Sequence, residues 1–479
     1  MKKNYWIYPL IICIFSALIW FIIYKGEMLS QLRHSLPAEK IITPEQVAKA
    51  APAEQEGFLS GLLHHAQLPI SILLLQIIVV LSVARAFGWA ARKIGQPAVV
   101  GEIIAGIVLG PSLLGLIAPD VMKSIFPTNT LSSLQFLSQI GLAFFMFIVG
   151  MELDIAKIKN KAHDAVVISH ASIIIPFFLG VSLAYFIYED FAPVGISFLA
   201  FSLFMGIAMS VTAFPVLARI VQERKLTGTP LGTLAITCAA ADDVTAWCIL
   251  AVVVAIAKAA SIVSALLTII LAAVFVAAML YVVQPWVGKR LRKYAHAKDA
   301  KKTIALAFFV LLGSAYVAEV IGIHALFGAF LAGVIMPQTG NFKSILTDKL
   351  EDVSVLMLLP IFFAFTGLRT QIGLLNEGHL WAVFGMIMLV AVGGKFAGST
   401  LTAKAMGQNW TDAISIGALM NTRGLMELIV LNIGYDLGIL SAQMFAMLVL
   451  MALATTFMTG PALDIVNYVT RKKSTVVLS

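Results

Sequence analysis

The chain has 479 residues, 60% hydrophobic and 12% charged, with mean hydropathy +0.95 and a formal net charge of +8. A soluble domain cannot hide that much apolar surface. The apolar runs are too long and uniform for barrel strands, and the basic residues are scattered through short loops, which argues for membrane anchoring and against a nucleic-acid partner.

Apolar runs of about 20 residues match the hydrocarbon thickness of a bilayer. They predict about 14 spans: 5–24, 68–88, 98–117, 131–152, 163–188, 196–221, 230–256, 262–285, 303–321, 324–337 (a short one), 347–370, 379–402, 411–435 and 441–468. The fold class is therefore an all-α polytopic membrane protein. Residues 1–25 have the basic start and apolar core of a signal peptide but no clear small-residue cleavage site, which predicts a retained N-terminal anchor. Residues 26–67 read as an external polar linker, 68–468 as the transmembrane domain, and 469–479 as a cytoplasmic tail too short for a regulatory domain. Of the 33 Lys and Arg residues, three fall inside spans: Arg369, Lys395 and Arg423. Nearly all the others collect on one side, in runs such as "KIKNK" and "GKRLRKYAHAKDAKK", which predicts that side, and both termini, to be cytoplasmic. Cys13, Cys238 and Cys248 all lie in apolar spans and form no disulfide or metal framework, and His64-His65 is a loop pair without further ligands nearby.

Two pairs of segments repeat. "GEIIAGIVLGP" (101–111) parallels "GAFLAGVIMP" (328–337), and "FFMFIVGMELDI" (144–155) parallels "FFAFTGLRTQI" (362–372). The partners are seven spans apart, an odd number, so the two halves are inverted. Inverted repeats are a signature of secondary transporters, with the substrate site near mid-membrane between them. Helix interruptions fall at matching places. "SVTAFPVLAR" brings Thr212 and Pro215 into one span; "LMNTRGLMEL" brings Asn421, Thr422 and Gly424 into the corresponding one. Unwound backbone in a membrane is tolerated only around a cavity, and its carbonyls, with Thr212, Thr245 and Asn421, are oxygen ligands suited to a hard cation.

"CAAADDVTAW" then places Asp242 and Asp243 side by side in the next span. A charged Asp at mid-bilayer costs about 2.5–3.5 kcal/mol on insertion scales, so two adjacent ones need a partner. Helical neighbours point about 100° apart, which lets one face a cavity while the other meets Lys395 on another helix. A carboxylate that holds either a cation or a proton is what proton-coupled cation transport requires. Glu102, Glu152 and Asp154, near the cytoplasmic ends of their spans, form a candidate cation-attracting mouth. Arg423 and Glu427, spaced i, i+4 beside the second interruption, read as a structural ion pair, and His170 as a packing residue.

"FPVLARIVQERKL", "AAADDVTAWCILAV", "GIHALFGAFLAGVIMP" and "MNTRGLMELIVLNIG" together resemble the monovalent cation:proton antiporter superfamily, in its branch of sodium/proton and potassium/proton exchangers. The resemblance covers about residues 68–468. It implies an inverted-repeat antiporter fold of about 13 core spans, here preceded by the N-terminal anchor, with two interrupted crossing helices and a homodimer in the lipid bilayer. It also implies no cofactor beyond transported Na+ or K+ and H+, and no catalytic residue or resident metal. By the same resemblance Asp243 is the cation- and proton-binding residue, Asp242 its neighbour and Lys395 the core lysine. The Asp-Asp pair is similar to that of electrogenic bacterial members, which suggests the bacterial inner membrane; the N-terminal anchor and linker depart from the common pattern. This chain is not expected to carry the cytoplasmic nucleotide-binding domain of the potassium efflux relatives. An ion channel is the first rival, but no "TVGYG"-like filter is present. An intramembrane aspartyl protease needs two Asp on separate helices, and "IGYDLG" lacks the Gly-x-Gly-Asp pattern.

Overall fold

The computed structural model describes residues 13–24, 65–152, 162–226, 229–259, 262–293, 300–337, 346, 349–350 and 352–477. Asp154 and most of the 26–67 segment lie outside them. Every regular element among the described residues is helical. Twelve helical stretches are long and apolar enough to cross a membrane, and Cys13–Tyr24 and Ala325–Val334 are shorter apolar helices.

In chain order the elements are α1 (Cys13–Tyr24), α2 (Pro69–Lys93), α3 (Ala98–Leu109), α4 (Thr128–Glu152), α5 (Ala162–Phe191), α6 (Phe198–Ser210), α7 (Phe214–Glu223), α8 (Pro230–Lys258), α9 (Val263–Leu291), α10 (Ala300–Ile321), α11 (Ala325–Val334), α12 (Leu359–Arg369), α13 (Gly378–Ala405), α14 (Trp410–Met420), α15 (Leu425–Asp436) and α16 (Ala442–Val477). The α9 run extends about a turn and a half beyond the predicted 262–285. The short span predicted at 324–337 is α11, which is capped by His324 and is too brief to cross a bilayer by itself.

The repeated motifs meet each other. In α3 a Cβ added to Gly106 would sit 2.0 Å from the Ala364 carbonyl of α12, and one on Gly367 would sit 2.3 Å from the Ile103 carbonyl. In α4 a Cβ on Gly150 would sit 2.2 Å from the Phe330 carbonyl of α11, and one on Gly333 2.1 Å from the Phe147 carbonyl. Only glycine permits backbones this close, the usual device of helix packing in lipid. Each half thus lends one motif to the other: α3 packs on α12 and α4 on α11.

Two crossings are broken in mid-span. Val211, Thr212 and Ala213 are non-helical between α6 and α7, with Val211 extended at φ −70°, ψ 137°. Asn421–Gly424 interrupts α14 and α15, and Gly424 takes φ 144°, a conformation that only glycine adopts without strain.

Candidate functional site

α8 starts on a Thr229 cap, whose hydroxyl accepts the Gly232 amide at 3.0 Å, with Pro230 in the first turn. Near its middle sit Asp242 and Asp243, both fully buried. The 100° between them gives them different surroundings.

Both oxygens of Asp242 are hydrogen-bonded. Its Oδ1 accepts the Ser172 hydroxyl of α5 at 2.8 Å. Its Oδ2 accepts the Thr212 amide at 3.1 Å and the Lys395 ammonium at 3.0 Å. Lys395, also fully buried, rides on a single π-helical turn, Gly393–Ala397, within α13. Such turns recur at functional sites. Its ammonium also donates to the Ser210 carbonyl at the end of α6 and to the Ser172 hydroxyl at 3.4 Å.

Asp243 is the opposite case. Neither of its carboxylate oxygens makes a hydrogen bond. The amide of Phe214, at the start of α7, is near it but outside hydrogen-bonding geometry. Its neighbourhood therefore includes the N-terminal, positive end of a half-helix. Asn421, at the end of α14, is also buried with its side-chain oxygen unpartnered.

The two breaks hold each other. The Ala213 amide donates to the Thr422 carbonyl at 3.0 Å, and the Thr212 hydroxyl to the Met420 carbonyl at 3.1 Å. Arg423 reaches across to the last turn of α6, donating to the Ala208 carbonyl at 2.7 Å and the Met209 carbonyl at 2.6 Å, and pairs with Glu427 at 2.9 Å. Thr456 of α16 donates to the Arg423 carbonyl at 2.7 Å, and the Thr422 hydroxyl donates to that of Thr459 at 3.2 Å.

The sequence-predicted residues Asp242, Lys395, Thr212, Asn421, Thr422, Gly424, Arg423 and Glu427 thus come together at the crossing. Pro215 sits in the first turn of α7, where its missing N–H costs nothing, so it starts a half-helix and the break lies before it. Thr245 is turned away: its hydroxyl donates to the Ala241 carbonyl at 2.9 Å, and it lines an apolar cavity of about 330 Å³ with Phe327 and Phe330. His170 places Nδ1 2.7 Å from the Val166 carbonyl, a local packing contact. Glu102 is in the second turn of α3 and Glu152 is the last residue of α4. Sequence reasoning missed Ser172 and the Thr455, Thr456 and Thr459 group. A threonine cluster in an otherwise apolar helix was the available signal for the latter.

Comparison with known proteins adds to this geometry. The family described as sodium/hydrogen exchanger, transmembrane, matches residues 78–466. The chain is 43% identical over 392 residues to the Na(+)/H(+) antiporter NhaS4 of Synechocystis sp., covering 81% of this chain and 96% of that protein. It is 39% identical to cation/H(+) antiporter 17 of Arabidopsis thaliana and 33% identical to K(+)/H(+) antiporter 1 of Saccharomyces cerevisiae, covering 83% and 86% of this chain and 48% of each of those proteins. It thus spans about half the length of the plant and yeast relatives. Among solved structures, the sodium proton antiporter MjNhaP1 from Methanocaldococcus jannaschii at pH 8 superposes with a TM-score of 0.59 at 13% identity, over 83% of this chain and 97% of that one. At that identity the likeness shows the fold alone.

Proposed function

The chain belongs to the sodium/hydrogen exchanger family, and on that premise we propose that Asp243 is the ligand shared by the two substrates of a secondary transporter exchanging a monovalent cation for protons. It is an integral membrane transporter and not an enzyme. Family membership favours exchange over the channel and protease readings.

The observation that carries the assignment is the contrast inside the Asp pair. A buried carboxylate with empty acceptor positions is too costly to leave charged and bare. It is either protonated or holding a cation, and the two states exclude each other. Asp242 has less such freedom while Lys395, Ser172 and Thr212 engage both of its oxygens. The Asn421 oxygen and the unwound carbonyls are further hard-oxygen ligands for Na+ or K+, and no cofactor is called for. Alternating access then needs only that the crossing, as one unit, face each side of the membrane in turn with either the proton or the cation bound.

Glu102, Glu152 and Asp154 are proposed as a cytoplasmic mouth that concentrates cations. The strong bias of basic residues supports a cytoplasmic side bearing the α2 and α4 C-termini. A homodimer in a bacterial inner membrane is the proposed setting.

Reconstitution in liposomes with an internal pH-sensitive dye tests the core claim. Addition of Na+ or K+ should move protons outward with the wild type, and a panel of alkali cations ranks the substrates. Asp243→Asn should abolish this signal while the protein stays monodisperse and thermally cooperative. Substantial coupled exchange by a well-folded Asp243→Asn protein rejects the assignment.

A further inference from the structure

Lys395 and Asp242 are joined twice. One link is direct, at 3.0 Å. The other runs through a single hydroxyl: Ser172 Oγ accepts from Lys395 Nζ at 3.4 Å and donates to Asp242 Oδ1 at 2.8 Å. Ser172 is fully buried on α5, so its contacts with the pair are made away from water. Its bond occupies the one Asp242 oxygen that neither Lys395 nor the Thr212 amide holds.

We propose that Ser172 is a positioning residue that keeps Asp242 with Lys395 and away from the cation, and so sets how hard the cation must compete with protons. The inference rests on the assignment of Asp243 above. If a cation at Asp243 draws Asp242 toward it, the Asp242–Ser172 bond exists only in the cation-free state. Ser172 then stabilises that state alone, and removing it favours the cation-bound one. The ammonium loses its counter-charge as Asp242 turns, and it releases its proton in the same step. If instead the pair stays closed throughout the cycle, Ser172 makes the same bonds in both states and has no effect on the competition.

The charged and titratable groups around the pair are Asp243 and Cys238 on α8, and Arg423 and Glu427 from the second break. None of them hydrogen-bonds to Ser172. Ser169 supplies an internal control: it is on the same helix and equally buried, and its hydroxyl has no hydrogen-bond partner.

The experiment compares Ser172→Ala, Ser172→Thr and Ser169→Ala in liposomes, reading the KM for the cation as a function of pH. In parallel, cation-induced thermal stabilisation of the purified proteins gives a readout independent of transport. Ser172→Ala should lower KM about threefold to tenfold at fixed pH and move the half-activity point to lower pH. Its cation-dependent stabilisation should begin at correspondingly lower cation concentration. Ser169→Ala should match the wild type in both readouts, and Ser172→Thr, which keeps the hydroxyl, should return toward it. If Ser172→Ala is active and its KM and pH profile coincide with those of Ser169→Ala, the inference is overturned while the Asp243 assignment stands. If Ser172→Ala does not fold, Ser172→Cys, a weaker donor of similar size, carries the test: the same KM shift in smaller measure supports the inference, and an unchanged KM overturns it. Exchange surviving in Asp243→Asn would instead remove the assignment beneath it.

Discussion

The two breaks that cross in mid-membrane are held in different ways. Around the first, the loose carbonyls at the end of α6 receive charged donors: Arg423 on Ala208 and Met209, Lys395 on Ser210. Its Thr212 amide goes to the Asp242 carboxylate. Around the second, the carbonyls of Met420, Thr422 and Arg423 receive neutral donors: the Thr212 hydroxyl, the Ala213 amide and the Thr456 hydroxyl. A helix C-terminus is the negative end of its dipole, so the two buried cations sit where α6 favours them. The first break therefore concentrates the charge of the site, and the second, which contributes Arg423, frames it. The lesson is that a matched pair of interruptions need not be chemically matched. The break whose backbone meets Asp242 and Lys395 is the one expected to couple its geometry to protons.

The largest effect that contrast predicts comes from removing Arg423. Arg423→Ala strips the α6 carbonyls of their donor and leaves Glu427 buried without a counter-charge. Breaking one side of a buried pair costs about 3–5 kcal/mol. The variant should express poorly and unfold at markedly lower temperature in detergent. Joint replacement, Arg423→Gln with Glu427→Gln, should recover most of the loss, because no uncompensated charge remains. A single variant as stable as the wild type would show that the charged donors do not hold the first break.

Next in size is the response to voltage. With Asp242, Asp243 and Lys395 in one site, one cation entering can displace two protons, one from Asp243 and one from Lys395. The cycle would then move one net charge. At 60 mV that is worth about 1.4 kcal/mol, or about tenfold in the cation ratio at which flux reverses. Liposomes with a clamped diffusion potential, set by an ion that is not a substrate, measure this directly. Flux driven by voltage alone, at equal pH and equal cation on both sides, supports the two-proton cycle. Reversal points indifferent to voltage would make the Asp242–Lys395 pair a fixed strut, and the charge at the first break structural.

Much of this could be read in the chain itself. The span pattern, the two interruptions, the adjacent aspartates and Lys395 all follow from hydropathy and from the cost of burying charge. Which aspartate meets Lys395 could not be read, since the 100° step separates the two side chains without saying which way the helix is turned. Of the two residues read as the first interruption, Thr212 lies in the unwound stretch Val211–Ala213 and Pro215 only follows it, in the first turn of the next half-helix. Thr245 looked like a ligand because it lies close to Asp243 in sequence, yet two positions along a helix is nearly the opposite face. Ser172 gave no signal at all. It is one of three serines in a mostly apolar helix, and its role exists only once α5, α8 and α13 are packed.

The smallest effect, and the sharpest check on the contrast, concerns Thr456. Its hydroxyl oxygen lies 2.7 Å from the Arg423 carbonyl and 2.7 Å from the Ala452 carbonyl of its own helix, and its single proton is shared between them. Thr456→Val keeps the shape and removes the donor. The helix loses little, because the Ala452 carbonyl retains its place in the backbone ladder. The Arg423 carbonyl, in unwound chain, loses a bond that hydrogen bonds between membrane helices put at about 1 kcal/mol. The expected outcome is a fall of a few degrees in melting temperature with exchange rate and KM within about threefold of the wild type. If the second break only frames the site, the KM should keep its wild-type dependence on pH. A loss as large as that of Arg423→Ala, or a KM whose pH dependence shifts, would mean that the neutral break also carries the coupling. The division of labour between the two breaks would then fail.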